Sequence, residues 1–232
     1  MGMQMAHAAI ALDRTRAIFN GGEKSISLSI SNENKKLPYL VQAWLEDTDG
    51  KKINSPLTLL PPLQRVEPGA KSQVKVQSLP AVGQLPQDRE SIFYFNLREI
   101  PPRSDQPNVL QIALQSRIKL FYRPKAIVVS DEAGATPWQD KVILIREGER
   151  IKLNNPTPYY VTFVDAGPNQ KTTVKKFEPI MLAPFSSGYA NVSAAELGSA
   201  PVLTYINDYG GYPKLVFSCS GATCNGKTIK NG

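Results

Sequence analysis

Two cysteines, Cys219 and Cys224, carry the most distinctive chemistry of this 232-residue chain. They lie close together in the segment SCSGATCNG, whose short spacing and glycines suit a hairpin-like turn. Two thiols cannot complete a tetrahedral zinc site, and the one histidine, His7, lies far away near the N-terminus. We therefore predict a disulfide, which requires an oxidising compartment, and keep two reduced, buried thiols as the alternative.

The basic side chains offer a second kind of chemistry. Lys and Arg number 27 against 20 Asp and Glu, a net charge of +7, but they are scattered through the chain instead of forming one basic tract. This distribution argues against a nucleic-acid partner. A few of these cations could bind a carboxylate, which suits an Arg fork or a Lys ammonium, and a solvated cationic surface is the alternative.

Enzymatic chemistry is disfavoured. The sequence has no G-x-S-x-G, Walker A or H-E-x-x-H motif, and His7 lies in an N-terminal segment that we expect to be a leader. The acidic run EDTDG at residues 46–50 lacks the terminal glutamate of a calcium loop, so a hairpin turn is the better interpretation. We predict no catalytic residues, no cofactor and no metal.

The element best suited to binding is the segment NVLQIALQSRIKLFYR at residues 108–123, where apolar residues alternate at strand spacing. One strand of this length would extend about 50 Å, whereas an ordinary strand spans about 17–20 Å. A single sandwich cannot cover all of it. Leu110, Ile112 and Leu114 should therefore meet a partner that adds a strand to this edge.

The remaining strand patterns predict an all-β protein made of two immunoglobulin-like β-sandwich domains. Alternating or aromatic-rich segments at residues 24–32, 39–46, 72–77 and 91–98 precede the long strand, and Pro and Gly residues separate them. Beyond Pro124 the pattern restarts at 126–130, 141–146, 150–154, 159–164, 180–183, 203–206 and 214–218. We place the domains at residues 9–124 and 125–232, with a ligand cleft between them.

The N-terminal residues indicate export. Ala6, His7 and Ala8 have the small-x-small pattern of a signal-peptidase site, so we expect residues 1–8 to be a leader remnant or an added segment and cleavage before Ala9. No apolar run approaches the roughly 18 residues of a membrane span, which predicts no membrane insertion. The expected compartment is the bacterial periplasm.

The segment LPQDRESIFYFNLREIP at residues 85–101 resembles the signature of the PapD-like periplasmic pilus chaperones. The short connection at residues 101–108 resembles the branch of that family with a short loop before the long strand. The resemblance extends over almost the whole chain through LDRTRAIF at 12–19, LPPLQRVEPGAKS at 60–72, LQIALQSRIKLFYRP at 110–124, NPTPYYVT at 155–162 and YINDYGG at 205–211.

This resemblance implies a boomerang-shaped, two-domain chaperone that uses no ATP. It would bind newly exported pilin subunits, lend each one its long strand (donor-strand complementation) and deliver it to an outer-membrane usher. A structural pilin or a cell-surface adhesin is the alternative, although pilins lack a strand and this chain has two full sets. Self-association of the free protein through the same strand is left open.

The resemblance also implies roles for individual residues. Arg16 and Lys119 match two cleft cations that anchor the pilin C-terminal carboxylate, and Leu110, Ile112 and Leu114 match the donated side chains. The remaining matches are an interdomain salt-bridge network and a surface strand that docks to the usher. The first comprises Glu90, Arg123 and Asp208, and the second comprises Pro38, Leu40 and Gln42.

Overall fold

The computed structural model describes residues 8–103, 111–129 and 136–229. They divide into two compact units. The first unit runs through Gln87 and resumes over Ser91–Ala126, whereas the second takes Asp88–Glu90 together with the chain from Ile127 onward. Regular structure in both units is nearly all β-strand, which confirms the predicted fold class.

The first unit has ten strands among its described residues and a 3₁₀ helix at Pro80–Gln84. The strands are β1 (Ile10–Leu12), β2 (Arg16–Asn20), β3 (Ser25–Asn32), β4 (Tyr39–Glu46), β5 (Lys52–Ile53), β6 (Leu57–Leu60), β7 (Leu63–Val66), β8 (Lys71–Ser78), β9 (Ser91–Ile100) and β10 (Gln115–Arg123).

These strands form two sheets that enclose one core. The smaller sheet has the order β1-β3-β8-β6, and the larger has the order β2-β10-β9-β4-β5, with β7 also paired to β4. Phe19, Leu28, Phe95 and Leu120 are fully buried between them. The alternation in β3 places Leu28 and Ile30 in this core, as the period-2 pattern predicts.

The second unit contains eight strands among its described residues, a 3₁₀ helix at Trp138–Lys141 and a short helix, α1, at Ala194–Leu197. The strands are β11 (Ile143–Glu147), β12 (Arg150–Asn155), β13 (Val161–Gly167), β14 (Ile180–Leu182), β15 (Ser186–Ser193), β16 (Val202–Tyr205), β17 (Lys214–Ser220) and β18 (Thr223–Ile229). All pairings are antiparallel, in the order β14-β13-β16-β17-β18-β11-β12-β15. The sheet curls, because its single core includes residues from all eight strands.

Three features differ from the sequence-based expectations. β10 begins at Gln115 and not at residue 108. The Leu114 carbonyl still accepts from the Glu99 N–H, but β9 ends at Ile100, and the register gives residues 111 and 112 no partner on it; Leu110 lies outside the described residues. The expected strand at residues 126–130 is not found among its described residues, where a 3₁₀ helix at Lys125–Ile127 directly follows Pro124. β15 and β18 were not anticipated, because SSGYANVS and TCNGKTI carry no clear apolar alternation and are fixed by their neighbours.

Candidate functional site

Arg16 and Lys119 are brought together by parallel pairing of β2 with β10. They are register partners on neighbouring strands, which places their backbones about 4.8 Å apart. Ala17 and Phe19 on β2 and Leu120 on β10 enter the core, so alternation puts Arg16 and Lys119 on the opposite face of the sheet. The structure therefore makes one dibasic pair from two residues that are far apart in sequence.

The surroundings of this pair favour an anionic ligand. Arg16 is only 8% exposed, and its guanidinium carbon lies 5.8 Å from the centre of the Phe121 ring, in a cation–π arrangement. Burial lowers the pKa of the Lys119 ammonium, and the positive charge of Arg16 lowers it further. The charged form of Lys119 is thus disfavoured, and a carboxylate placed between the two cations would reverse the effect.

The edge of β10 next to this pair is only partly paired. In the described part of the chain, β2 pairs with β10 from Lys119 to Arg123, so residues 115–118 have β9 as their one strand partner. The Glu99 N–H donates to the Leu114 carbonyl at 3.0 Å, and the register is continuous from there. In that register the backbone N–H and C=O groups of Ser116 and Ile118 bond to β9. The backbone N–H and C=O groups of Gln115 and Arg117 point the other way, to the edge of β10 that β2 does not cover, which we call the open edge.

The predicted donated side chains are exposed where the structure describes them. Ile112 is 58% exposed and Leu114 is 36% exposed. They share the even numbering of Ile118, Leu120 and Tyr122, which contact the core of the first unit, so a strand extended through residues 112–114 would place all five side chains on one face. The apolar alternation of β10 thus continues in the sequence upstream of the strand, and its side chains there are exposed.

The predicted usher-contact residues lie at the start of β4. Leu40 is 41% exposed and does not enter the core, while Pro38 and Gln42 are half-buried. Cross-strand pairing places Leu63 of β7 opposite Gln42, and Leu63 is also exposed. Leu40 is therefore a surface residue, which is compatible with a docking role, and that role stays a prediction.

The three residues predicted to form a salt-bridge network occupy different elements. Glu90 is buried in the second unit, where its Oε2 accepts a hydrogen bond from the Tyr160 N–H at 2.8 Å. Arg123 is the last residue of β10 and its carbonyl accepts from the Gly21 N–H, while Asp208 lies in the loop after β16. Their shared role stays a prediction.

The predicted disulfide is confirmed. Cys219 at the end of β17 and Cys224 on β18 lie directly opposite each other across the hairpin and are bonded. Cys224 is fully buried in the core of the second unit. Gly221 at the turn adopts a positive φ of 62°, a conformation in which glycine avoids the strain of a side chain.

The described ranges 8–103, 111–129 and 136–229 contain no cluster of three or more His, Cys, Asp or Glu that could hold a metal ion. They also contain no helix that is long and apolar enough to cross a membrane. The EDTDG run forms a tight turn from β4 to β5, in which Asp47 Oδ1 accepts from the Asp49 and Lys51 N–H groups.

Sequence reasoning missed the backbone of Gln115 and Arg117 as part of the site. The polar side chains of these residues interrupt no apolar pattern and attract no attention in the sequence. The spacing nevertheless contained a signal. Arg117 and Gln115 lie two and four residues before Lys119, so in a strand their backbone groups point to the same side as those of Lys119. Only the pairing of β9 and the start of β2 reveal that their peptide groups face an open edge.

Comparison with known proteins agrees with this geometry. Residues 9–128 match the family model for the pili and flagellar-assembly chaperone PapD N-terminal domain, and residues 137–217 match the model for the pili assembly chaperone PapD C-terminal domain. The chain is 52% identical over 227 residues to the chaperone protein PapD of Escherichia coli, covering 97% of this chain and 92% of that protein.

Solved structures show the same fold. The periplasmic chaperone SfaE matches with a TM-score of 0.70 and 33% identity, covering 88% of this chain and 95% of that one. The SafB chaperone, solved in complex with the SafA pilin of Salmonella enterica, matches with a TM-score of 0.73, covering 93% and 99%, and at 24% identity shows likeness of fold alone. On the two domain models and the identity to PapD, this chain belongs to the PapD family of pilus-assembly chaperones.

Proposed function

We propose that this protein is a periplasmic chaperone that captures pilin subunits by lending them β10 and the residues just before it. The observation that carries the proposal is the open edge of β10, which ends beside the Arg16–Lys119 pair. An incomplete immunoglobulin-like subunit needs one more strand, and an open edge with exposed alternate apolar side chains can supply it. Family membership and the similarity to PapD, which is named as a chaperone, point the same way.

The geometry also favours one direction for the captured strand. An occupant of the open edge lies in line with β2 and must end or turn where β2 begins, at Arg16. A strand that runs parallel to β10, as β2 does, would bring its C-terminal carboxylate to Arg16 and Lys119. An antiparallel strand ending there would bring an α-ammonium to two cations, which is repulsive.

Anchoring the carboxylate would also set the register of the captured strand. Side chains alternate between the two faces of a strand, so a slip of one residue would turn every donated side chain away from its pocket. We propose that Leu110, Ile112 and Leu114 fill successive pockets in the subunit once the carboxylate is fixed. Charge-assisted hydrogen bonds from two cations are directional enough to fix it.

Further parts of the proposal concern delivery and compartment. Pro38, Leu40 and Gln42 would dock to an outer-membrane usher, and Glu90, Arg123 and Asp208 would set the angle between the domains, which we divide at residues 124 and 125. The Cys219–Cys224 disulfide suits the oxidising periplasm, reached after a signal peptide is cleaved before Ala9. We assign no enzymatic activity and no nucleic-acid partner.

Copurification tests the proposal against its alternative. Coexpressed with a pilin subunit in the bacterial periplasm, the protein should purify in an equimolar complex that keeps the subunit soluble. A structural pilin or adhesin would instead enter a fibre with the subunit. Recovery of the protein alone, with the subunit degraded at the same rate as without it, would overturn the chaperone assignment.

A further inference from the structure

Polar side chains on the outer face of the larger sheet connect residues 115–118 of β10 to the neighbouring strands β9 and β4. We call this group the polar ladder; its members are Gln115, Arg117, Asn96, Arg98, Glu46 and Trp44. In the described structure this half, residues 115–118, has strand pairing on one side only. Its outward side chains are Gln115 and Arg117, on the face opposite Ile118, which contacts the core. Both side chains bond across the sheet, and each is held from more than one direction.

Gln115 forms the first rung. Its Oε1 accepts from both Nε and Nη2 of Arg98 on β9, at 3.3 and 2.9 Å, and its Nε2 donates to Oδ1 of Asn96 at 3.0 Å. Asn96 is fully buried. The oxygen and the nitrogen of the Gln115 side-chain amide therefore both bond to β9, the strand that pairs with this half of β10.

Arg117 forms the second rung and reaches one strand further. Its Nε donates to Oε2 of Glu46 on β4 at 2.9 Å, and its guanidinium carbon lies 3.5 Å from the centre of the Tyr94 ring on β9. Glu46 Oε1 also accepts from Nε1 of Trp44 at 2.7 Å. This rung thus spans β10, β9 and β4 in a single chain of contacts.

Trp44, at the far end of the ladder, also contacts two cations. The guanidinium carbon of Arg98 lies 5.1 Å and the ammonium of Lys52 lies 4.5 Å from the Trp44 ring centre. Burial raises the pKa of Glu46, but hydrogen bonds from Trp44 and Arg117 outweigh it and leave the pKa below its ordinary value. The carboxylate is therefore charged at neutral pH and available to Arg117.

We propose that this ladder is a positioning device, which holds residues 115–118 in strand register on β9 before any subunit is bound. A strand with one free edge is readily lost to fraying, and ordering it at the moment of capture would reduce affinity. The ladder contacts only the face of β10 opposite Ile118, and Ile112 and Leu114 are exposed, so the ladder leaves both the open edge and the donated side chains accessible. The inference rests on the proposed function only in taking β10 to be the donated strand.

Hydrogen exchange of the free protein, followed amide by amide with NMR, tests the inference without any subunit. The Ser116 and Ile118 amides bond to β9 and report opening of the laddered half, whereas the Leu120 amide reports the half that β2 also covers. Arg117→Ala should speed exchange at Ser116 and Ile118 by about threefold or more, with Leu120 unchanged.

Glu46→Gln keeps the shape of the side chain and should act in the same direction, so the test does not depend on one variant folding well. Arg65→Ala is the matched control, because it breaks an exposed Arg65–Glu67 pair elsewhere in the unit. Unchanged exchange at Ser116 and Ile118 in both ladder variants, or an equal rise at Leu120, would refute the positioning role. Failure of the wild type to capture a pilin would instead refute the proposed function and leave this result intact.

Discussion

Replacing Lys119 with Met removes one charge of the dibasic pair and keeps an unbranched apolar stem. The free protein should lose no stability, because burial and the charge of Arg16 both lower the pKa of Lys119 and thus disfavour its charged form. A lowered lysine pKa means that the unfolded chain binds more protons between the folded pKa and about 10.5. Wild-type stability should therefore rise with pH in that window, and Lys119→Met should lack this rise.

The loss should appear in binding instead. Removing one partner of a desolvated charge pair costs about 2–5 kcal/mol, whereas an exposed pair is worth less than about 1 kcal/mol. Since about 1.4 kcal/mol corresponds to a tenfold change in Kd, the carboxylate anchor predicts a loss of about thirtyfold or more. Arg16→Gln should show a loss of similar size.

Calorimetry with two synthetic peptides measures the contribution of the carboxylate anchor to Kd. Both carry the C-terminal strand sequence of a pilin subunit, one as the free acid and one as the C-terminal amide. The wild type should bind the acid more tightly by at least the factor above, and Lys119→Met should show a smaller preference for the acid, because Arg16 alone remains to contact the carboxylate. Lys75→Met is the control, because Lys75 is exposed on β8. Equal binding of acid and amide by the wild type would refute the anchor.

Three further predictions concern other parts of the molecule. Ile112→Asp should abolish recovery of a coexpressed pilin while the free protein stays folded, because a charge would enter an apolar pocket; normal recovery would contradict the donated strand. Reducing the Cys219–Cys224 bond should lower the free energy of unfolding by about 2 kcal/mol in urea titrations, since the closed loop is short, and two free thiols in denatured, unreduced periplasmic protein would contradict the bond. Hydrogen bonds from the Ser193 backbone N–H, from Lys176 and from the Ser193 hydroxyl lower the pKa of Glu196 to about 2. The stabilisation of α1 by the Glu196 carboxylate should therefore be complete above pH 4.5 and disappear as the pH falls toward 2. A midpoint near 4.5 in an NMR titration of Glu196 would count against the capping box.

The fold could be predicted from sequence wherever one face of a strand is buried. β3 and β4 follow their predicted limits closely, because alternation there records which residues enter the core. β15 and β18 could not be found in this way, since their polar and glycine-rich sequences are held by pairing with β12 and β17. The start of β10 was also misplaced, because periodicity reports the face of a side chain and not the presence of a partner strand.

The candidate site was predictable only in part. Physical reasoning suggested a carboxylate site among the cations, but Arg16 and Lys119 lie in separate segments, and only the family resemblance singled them out. Their parallel register is a long-range property that no local pattern records. The direction in which the Gln115 and Arg117 peptide groups point depends likewise on the β9 register, so the open edge could be located only from the structure.

The central claim is that a subunit adds a strand to the open edge of β10. Hydrogen exchange at Gln115 and Arg117, compared between the free protein and its purified pilin complex, tests this most directly. These amides point to the open edge, so capture should slow their exchange strongly, while Ser116 and Ile118, already bonded to β9, should change little. A stable equimolar complex in which Gln115 and Arg117 exchange as fast as in the free protein would contradict donor-strand capture at this edge.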